Sequence, residues 1–264
     1  HFLEEARLTA SLEHPNIIQV YDLGFNQHGQ PYFTMKLCSS QKLSDLLNQA
    51  PRDLFQLLDI FLKVCDALAY SHNAGAVHGD LKPENILLGD FGEVLVCDWG
   101  SAQILADSDL EHEVGQFSRN LTRGTHGFMS PEQSRGETAA IVQDIYGLGA
   151  LLYNILCQKI PDRQNFIHPT TINREIPSGL EAICLKAMAL DKNQRYQNVE
   201  ELIKDIKAWT SGFAPQAEGA SFSKQLKLLI MRHKMLSLSL AASLLIISLI
   251  SLFYIHSLKE KEKE

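Results

Sequence analysis

One stretch restricts this chain more than any other: His78-Gly79-Asp80-Leu81-Lys82-Pro83-Glu84-Asn85, followed at once by Ile86-Leu87-Leu88. An Asp, a Lys two positions on and an Asn three beyond that form a compact polar cluster with apolar segments on both sides. Phosphoryl-transfer chemistry needs a carboxylate to orient a hydroxyl, a cation near the moving phosphate and an oxygen ligand for a metal. This octapeptide offers all three in one loop. The plainer reading is a polar turn between two core segments.

An amide that holds a metal should find a carboxylate beside it, because Mg²⁺ prefers hard oxygen ligands and keeps several waters. Two candidates follow, Asp90-Phe91-Gly92 and Asp98-Trp99-Gly100. Ile86-Leu87-Leu88 and Val94-Leu95-Val96-Cys97 are short apolar β-formers separated by Gly89 to Glu93, which reads as a hairpin turn. Antiparallel pairing returns Asp98 alongside Asn85 and leaves Asp90 at the far tip. Asp98 is the expected metal ligand, and Asp90 is turn chemistry.

The octapeptide resembles the catalytic loop of the eukaryotic-type protein kinases, H-R-D-x-K-x-x-N, with Gly79 where that family has Arg. Asp98-Trp99-Gly100 resembles the family's D-F-G with Trp for Phe, a larger apolar plug. Other matches fall in order. Phe2 to Leu12 reads as a helix stopped by His14-Pro15-Asn16, and Ile17 to Tyr21 and Pro31 to Leu37 read as strands joined through Gly24 to Gly29. These resemble the family's helix C and its next two strands, with Glu5 as the glutamate that pairs with the ATP-binding lysine. Met35-Lys36-Leu37-Cys38 fits the linker that meets adenine, Met35 being the gatekeeper. Ser44 is expected to cap a short helix through Asn48. Asp53 to His72 is a long helix with Leu54, Leu57, Leu58, Phe61, Val64, Cys65 and Leu68 on one face.

Asp107 to Arg123 is polar without clear periodicity and ends in Gly124-Thr125-His126-Gly127-Phe128-Met129-Ser130-Pro131-Glu132-Gln133. That resembles an activation segment and its closing A-P-E motif, with Ser130 for Ala. Ile141 to Gln158 is an apolar helix with Asp144 in its first turn, where a carboxylate suits the helix dipole. The resemblance makes Asp144 the anchor of the catalytic loop backbone. It pairs Arg195, in Asp191-Lys192-Asn193-Gln194-Arg195-Tyr196, with Glu132. Val199 to Trp209 closes the domain.

The chain begins at His1 inside an amphipathic pattern, so it reads as a fragment. The glycine-rich loop and strand lysine of the resemblance would lie upstream. Five cysteines are an odd number without metal-type spacing, which predicts reduced thiols with neither disulfide framework nor zinc. Ser211 to Ser223 reads as a linker, and Lys224, Lys227, Arg232 and Lys234 follow with no acid among them. Leu236 to Ile255 holds seven Leu, four Ile, one Phe and no charge. At about 1.5 Å per residue its 20 residues span about 30 Å, the bilayer core. The plainer reading is a buried core helix. The positive-inside rule puts the basic side, and the domain before it, in the cytoplasm. Ser239 and Ser243 give two such spans a small-residue seam for a homodimer. A net charge of −7, more acidic still outside the basic stripe, argues against nucleic acid and leaves that stripe for anionic headgroups of a lipid bilayer.

The expected architecture is therefore α+β: a protein-kinase-like fold, mostly helical C-lobe with helix C and two strands of the N-lobe, followed by one transmembrane helix. Residues 1–211 form the domain, 212–234 the linker and basic segment, 235–255 the span of a single-pass inner-membrane protein, and 256–264 a charged stub outside the cytoplasm. The resemblance implies ATP with Mg²⁺ or Mn²⁺, and protein substrates with Ser or Thr acceptors. Asp80 and Lys82 are its catalytic pair, with Thr125 bonding both. Asn85 and Asp98 hold the metal, and Met35, Lys36 and Cys38 lie at the nucleotide. His78, Gly100, Glu132, Asp144 and Arg195 support the site. Because the family's Arg clasps a phosphorylated activation segment, Gly79 puts such control in question, although Ser118 and Thr122 offer hydroxyls. Two readings stand: an active membrane-anchored Ser/Thr kinase of the bacterial receptor kind, with a sensor beyond residue 264, or a kinase-like module without catalysis. The intact Asp80, Lys82, Asn85 and Asp98 favour the first.

Overall fold

The computed structural model describes residues 2–37, 41–49, 53–106, 108–114, 124–221, 225, 229–231, 239 and 242–252. Helix α1 (Phe2–Ser11) buries Ala6 and Leu8 and is followed by strands β1 (Val20–Phe25) and β2 (Pro31–Met35), an antiparallel pair. The first strand lies further along than the expected Ile17 to Tyr21. Ile17 and Ile18 instead bury themselves against β-residue Val96, with Ile18 N donating to Val96 O at 3.0 Å. Asn26 sets the turn, its Oδ1 accepting from His28 N at 2.9 Å and Gln30 N at 3.0 Å, so β1 runs through Gly24 to Phe25.

After β3 (Gln41–Lys42) comes α2 (Leu43–Leu47). Ser44 does not cap it, contrary to expectation. The cap position is Lys42, whose N–H donates to Asp45 Oδ2 at 3.2 Å, because β3 carries the chain directly into the helix. Helix α3 (Leu54–Ala74) starts where the Asp53 carboxylate accepts from Phe55 N at 3.1 Å and stops at Gly75. Its expected face is buried from Leu57 to Leu68, each large side chain worth roughly 1.5–3 kcal/mol out of water. Leu54 packs at the edge, partly buried.

Strand β4 (Ala76–Val77) leads to the octapeptide. A 3₁₀ turn at Pro83–Asn85 then feeds β5 (Ile86–Leu88), which pairs antiparallel with β6 (Val94–Val96), Ile86 opposite Val96. Strand β7 (Gln103–Ile104) returns to pair with β4. Within the polar stretch after it lies a short helix, α4 (Asp109–Val114), whose Leu110 is buried. One apolar anchor in a polar run is too little for a periodicity argument to find.

Helix α5 (Pro131–Ser134) precedes α6 (Ile141–Cys157), which is apolar nearly all round and correspondingly buried. Helices α7 (Pro169–Ile172), α8 (Ser178–Ala187) and α9 (Val199–Thr210) pack around α3 and α6. Gly149 permits the close approach of α8, since a Cβ there would lie 2.8 Å from Ala187 Cβ. The start of the expected linker is fastened down. Buried Asp205 accepts from Gln216 N at 2.7 Å, Ala217 N at 2.9 Å and the Tyr196 hydroxyl at 2.8 Å. Residues 242–252 are helical with Leu244 to Leu252 exposed, and among the described residues no helix is long and apolar enough to cross a membrane. The rest of Leu236 to Ile255, apart from Ser239, lies outside the described residues.

Candidate active site

The octapeptide is held from below. Asp144 Oδ2 accepts from His78 N at 2.7 Å, and its Oδ1 accepts from Gly79 N at 2.9 Å. His72 Nε2 donates to the same Oδ2 at 2.8 Å. Burial alone would push the Asp144 carboxyl up, but the His72 hydrogen bond and the neighbouring donors outweigh it and hold the group below the ordinary range. A dipole-favoured end charge is thus not its main role. His78 Nδ1 accepts from Asp80 N at 3.2 Å, so its Nε2 carries the proton donated to Cys97 O at 3.2 Å.

Above this anchor three side chains close a triangle. Lys82 Nζ donates to Asp80 Oδ2 at 2.7 Å and to Thr125 Oγ1 at 2.8 Å, while the Thr125 hydroxyl donates to Asp80 Oδ1 at 2.7 Å. Half-burial pushes the Asp80 carboxyl up; Lys82 and Thr125 more than reverse this, so it stays an anion at neutral pH.

Asn85 is tied to the same residue, its Nδ2 donating to Asp80 O at 2.9 Å. That bond leaves the amide oxygen as the end available to a cation. Cys97 donates to Asn85 O through N–H at 2.9 Å and through Sγ at 3.3 Å, which brings the next residue, Asp98, beside Asn85. Asp98 is left-handed at φ 62°, ψ 67°, a conformation that costs an L-residue of its kind energy and clusters at functional sites. Asp90 sits at the hairpin tip beside Phe91, which is 94% exposed. Asp98 lines a cavity of about 380 Å³ together with Glu5, Met35, Lys36, Cys97 and Trp99. A Cβ on Gly100 would lie 3.0 Å from the Glu5 carboxylate and 3.4 Å from that of Asp98, so both acids converge on this glycine. Among the described residues no group of three or more His, Cys, Asp or Glu could hold a metal. Asp98 lines the cavity and Asn85, buried, does not, so an oxygen pair of this kind would suit Mg²⁺ that also keeps waters and phosphate oxygens.

Residues 1–256 match the sequence pattern of the protein kinase domain. The chain belongs to the protein kinase domain family. A serine/threonine-protein kinase PknD of Protochlamydia amoebophila is 34% identical over 250 residues, covering 80% of this chain and 25% of that protein. The PknD of Chlamydia felis is 36% identical over 247 residues, covering 80% of this chain and 26% of that protein. The chain thus spans about a quarter of the length of these curated relatives.

In this kinase domain the departure at Gly79 has a local cause. Gly79 sits at φ 77°, and a Cβ there would come 2.8 Å from Ser101 O. A residue not foreseen from the sequence takes over the tethering: Gln133 Nε2 donates to Gly79 O. The amide is held by a reciprocal cap, Gln133 N donating to Ser130 Oγ at 3.2 Å and Ser130 N to Gln133 Oε1 at 3.4 Å. Ser130-Pro131-Glu132-Gln133 carries that S-x-x-Q signature and could have been read. His72 was also missed, because on a helical face it reads as one more interior position.

Glu132 and Arg195 form a buried two-pronged pair, at 2.5 Å and 2.9 Å, and Arg195 also donates to Ala189 O at 2.7 Å and Val142 O at 2.8 Å. Burial raises the Glu132 carboxyl, and Arg195 more than reverses it. Trp99 is fully buried with its ring edge-on to His78 at 4.7 Å, and its Nε1 has no partner among the described residues. Lys36 lines the cavity but sends its Nζ to Glu93 at 2.6 Å. Cys38, Ser118 and Thr122 lie outside the described residues. Cys65, Cys97, Cys157 and Cys184 are free thiols.

Proposed function

We propose that the chain is the phosphotransferase part of a membrane-anchored protein serine/threonine kinase, moving the ATP γ-phosphate onto Ser or Thr hydroxyls of proteins. The observation that carries this is the closed Asp80–Lys82–Thr125 triangle, with Asn85 tied to the Asp80 backbone. Asp80 accepts the hydrogen bond of an incoming hydroxyl, orients it and takes its proton as transfer proceeds. A lowered pKa is no obstacle, since a loose transition state asks little base strength early on. Lys82 sets a positive charge where the transferred group gathers negative charge. Thr125 keeps carboxylate and ammonium in register. Asn85 and Asp98 are the residues that would hold Mg²⁺ or Mn²⁺, whose chemistry is to neutralise charge on the ATP phosphates. Glu5, Met35 and Lys36 line the cavity that would take the nucleotide.

Replacing Asp80 by Asn in the full-length protein is expected to lower phosphate transfer to a protein substrate roughly 10²–10⁴-fold, read by radiolabel transfer. Equal activity of variant and parent would remove Asp80 from its catalytic role, and no transfer by the parent itself would leave a kinase-like module without catalysis.

The anchor rests on the helix at 242–252, whose Leu245, Ile247 and Ile250 are 62%, 60% and 63% exposed. Such an exposed apolar surface suits lipid better than water. Ser243 Oγ donates to Ser239 O at 2.9 Å, which pairs the hydroxyl within the helix as an apolar medium requires. In this reading residues 1–211 lie in the cytoplasm. Reporters fused after Glu264 should then be active only outside it, and a cytoplasmic signal would overturn the topology.

A further inference from the structure

The peptide that precedes Asp80 is held at both ends. Asp80 N donates to His78 Nδ1 at 3.2 Å, and the carbonyl of the same planar peptide, Gly79 O, accepts from Gln133 Nε2. Gln133 is 4% exposed, and a buried amide must pair with something, because an unmade hydrogen bond in the interior costs free energy. Its choice of partner is nonetheless specific. The amide is spent on the peptide plane from which the Asp80 side chain hangs.

The same amide meets the opposite loop. A Cβ on Gly124 would lie 3.0 Å from Gln133 Nε2 and 3.4 Å from Gly79 O, so Gly124, at φ 152°, packs against this bond. Thr125 follows at once, and its hydroxyl donates to Asp80 Oδ1 at 2.7 Å. Gln133 thus stands where the residues preceding Asp80 and Thr125 come together. Its own place is fixed from two sides. Ser130 Oγ accepts from its backbone N–H at 3.2 Å, and the neighbouring Glu132 is locked to Arg195. Asp80, Thr125 and Gln133 line one small recess.

We propose that Gln133 is a positioning residue, its amide setting the register of Asp80 against Thr125. A neutral donor suits the place. A carboxylate would face the Gly79 carbonyl with a second acceptor, and an ammonium would be a charge in the interior. For its effect on phosphate transfer the proposal rests on the kinase reading above.

The test compares Gln133→Met, which keeps the length and loses the donor, with Ser130→Ala, which loses the helix cap and keeps the Gln133–Gly79 bond. In the full-length protein Gln133→Met should lower kcat for a protein substrate roughly 10–100-fold with KM for ATP nearly unchanged, since misplaced reacting groups are costly and Gln133 does not line the nucleotide cavity. Ser130→Ala should lower it far less. Adding Thr125→Val to Gln133→Met should slow transfer little beyond the slower single variant, because both remove one alignment. Unchanged kcat, losses that multiply in the double variant, or an equal loss in Ser130→Ala would overturn the role.

Hydrogen exchange reads it without turnover. Phe128 N and Met129 N donate to Thr125 O at 3.0 Å, and these amides should exchange several-fold faster in Gln133→Met than in the parent or Ser130→Ala. If the parent transfers no phosphate yet these amides exchange faster in the variant, the catalytic reading falls and the register role of Gln133 stands. Unchanged exchange overturns it. Gln133→Asn, whose amide is one methylene short of Gly79 O, answers the same questions if the Met variant does not fold.

Discussion

Asp144 and Asp80 are two carboxylates on either side of one short loop, and their surroundings differ instructively. Asp144 is 2% exposed, and its oxygens are spent on two backbone N–H groups and a histidine of another helix. Asp80 is half-buried, and its oxygens are bonded to the side chains of a lysine and a threonine that are themselves partly exposed. Both are held as anions by hydrogen bonds that outweigh burial. The same physics serves two ends. A carboxylate wired to backbone donors is a fastening, and one wired to partly exposed side chains keeps a face open to solvent, as the proposed reaction requires.

This contrast can be broken experimentally. The Asp80→Asn loss of transfer should come without loss of stability, because its partners reach solvent. Asp144→Ala should do the reverse first, costing about 3–5 kcal/mol in urea unfolding, since a buried His72 and two backbone N–H groups lose their acceptor. If Asp144→Ala unfolds like the parent, the loop is fastened by something else. Thr125→Val removes one hydrogen bond to each member of a charged pair and should raise the transfer barrier by about 1.5–3 kcal/mol, roughly 10–160-fold in rate. A change below twofold would mean that Thr125 merely fills space.

The smallest expected effect is on pH. The Asp144 carboxyl lies lower in the folded chain than in the unfolded one, so its stabilisation is fully present above the unfolded value of about 4. It is lost as pH falls through the lower folded value. Asp144→Asn should therefore flatten the acid limb of a stability–pH curve below about pH 4. An unchanged limb would assign the acid sensitivity to other carboxylates such as Glu132.

Much of the site was legible because its parts are local. The fold-back of β5 on β6 needs only two apolar triplets and a Gly-rich turn, and Ile86 does face Val96. The buried face of α3 follows from helical spacing alone. What escaped was set by context. Ser44 lost its capping role because β3 runs directly into α2. The stretch read as a linker is fastened through residue 217 by a buried Asp205, which no composition rule detects.

The sequence by itself determined which of two D-x-G triplets returns to Asn85, because strand alternation and turn chemistry act over a dozen residues. Only the tertiary structure decided what meets Asp80 and Asp144. Thr125 reaches Asp80 across 45 positions, and His72 reaches Asp144 across 72. Gln133 similarly finds the Gly79 carbonyl 54 positions away. Such bonds form only once the packing of α3 against α6 has brought distant segments together, since no local preference of the chain encodes a meeting between them.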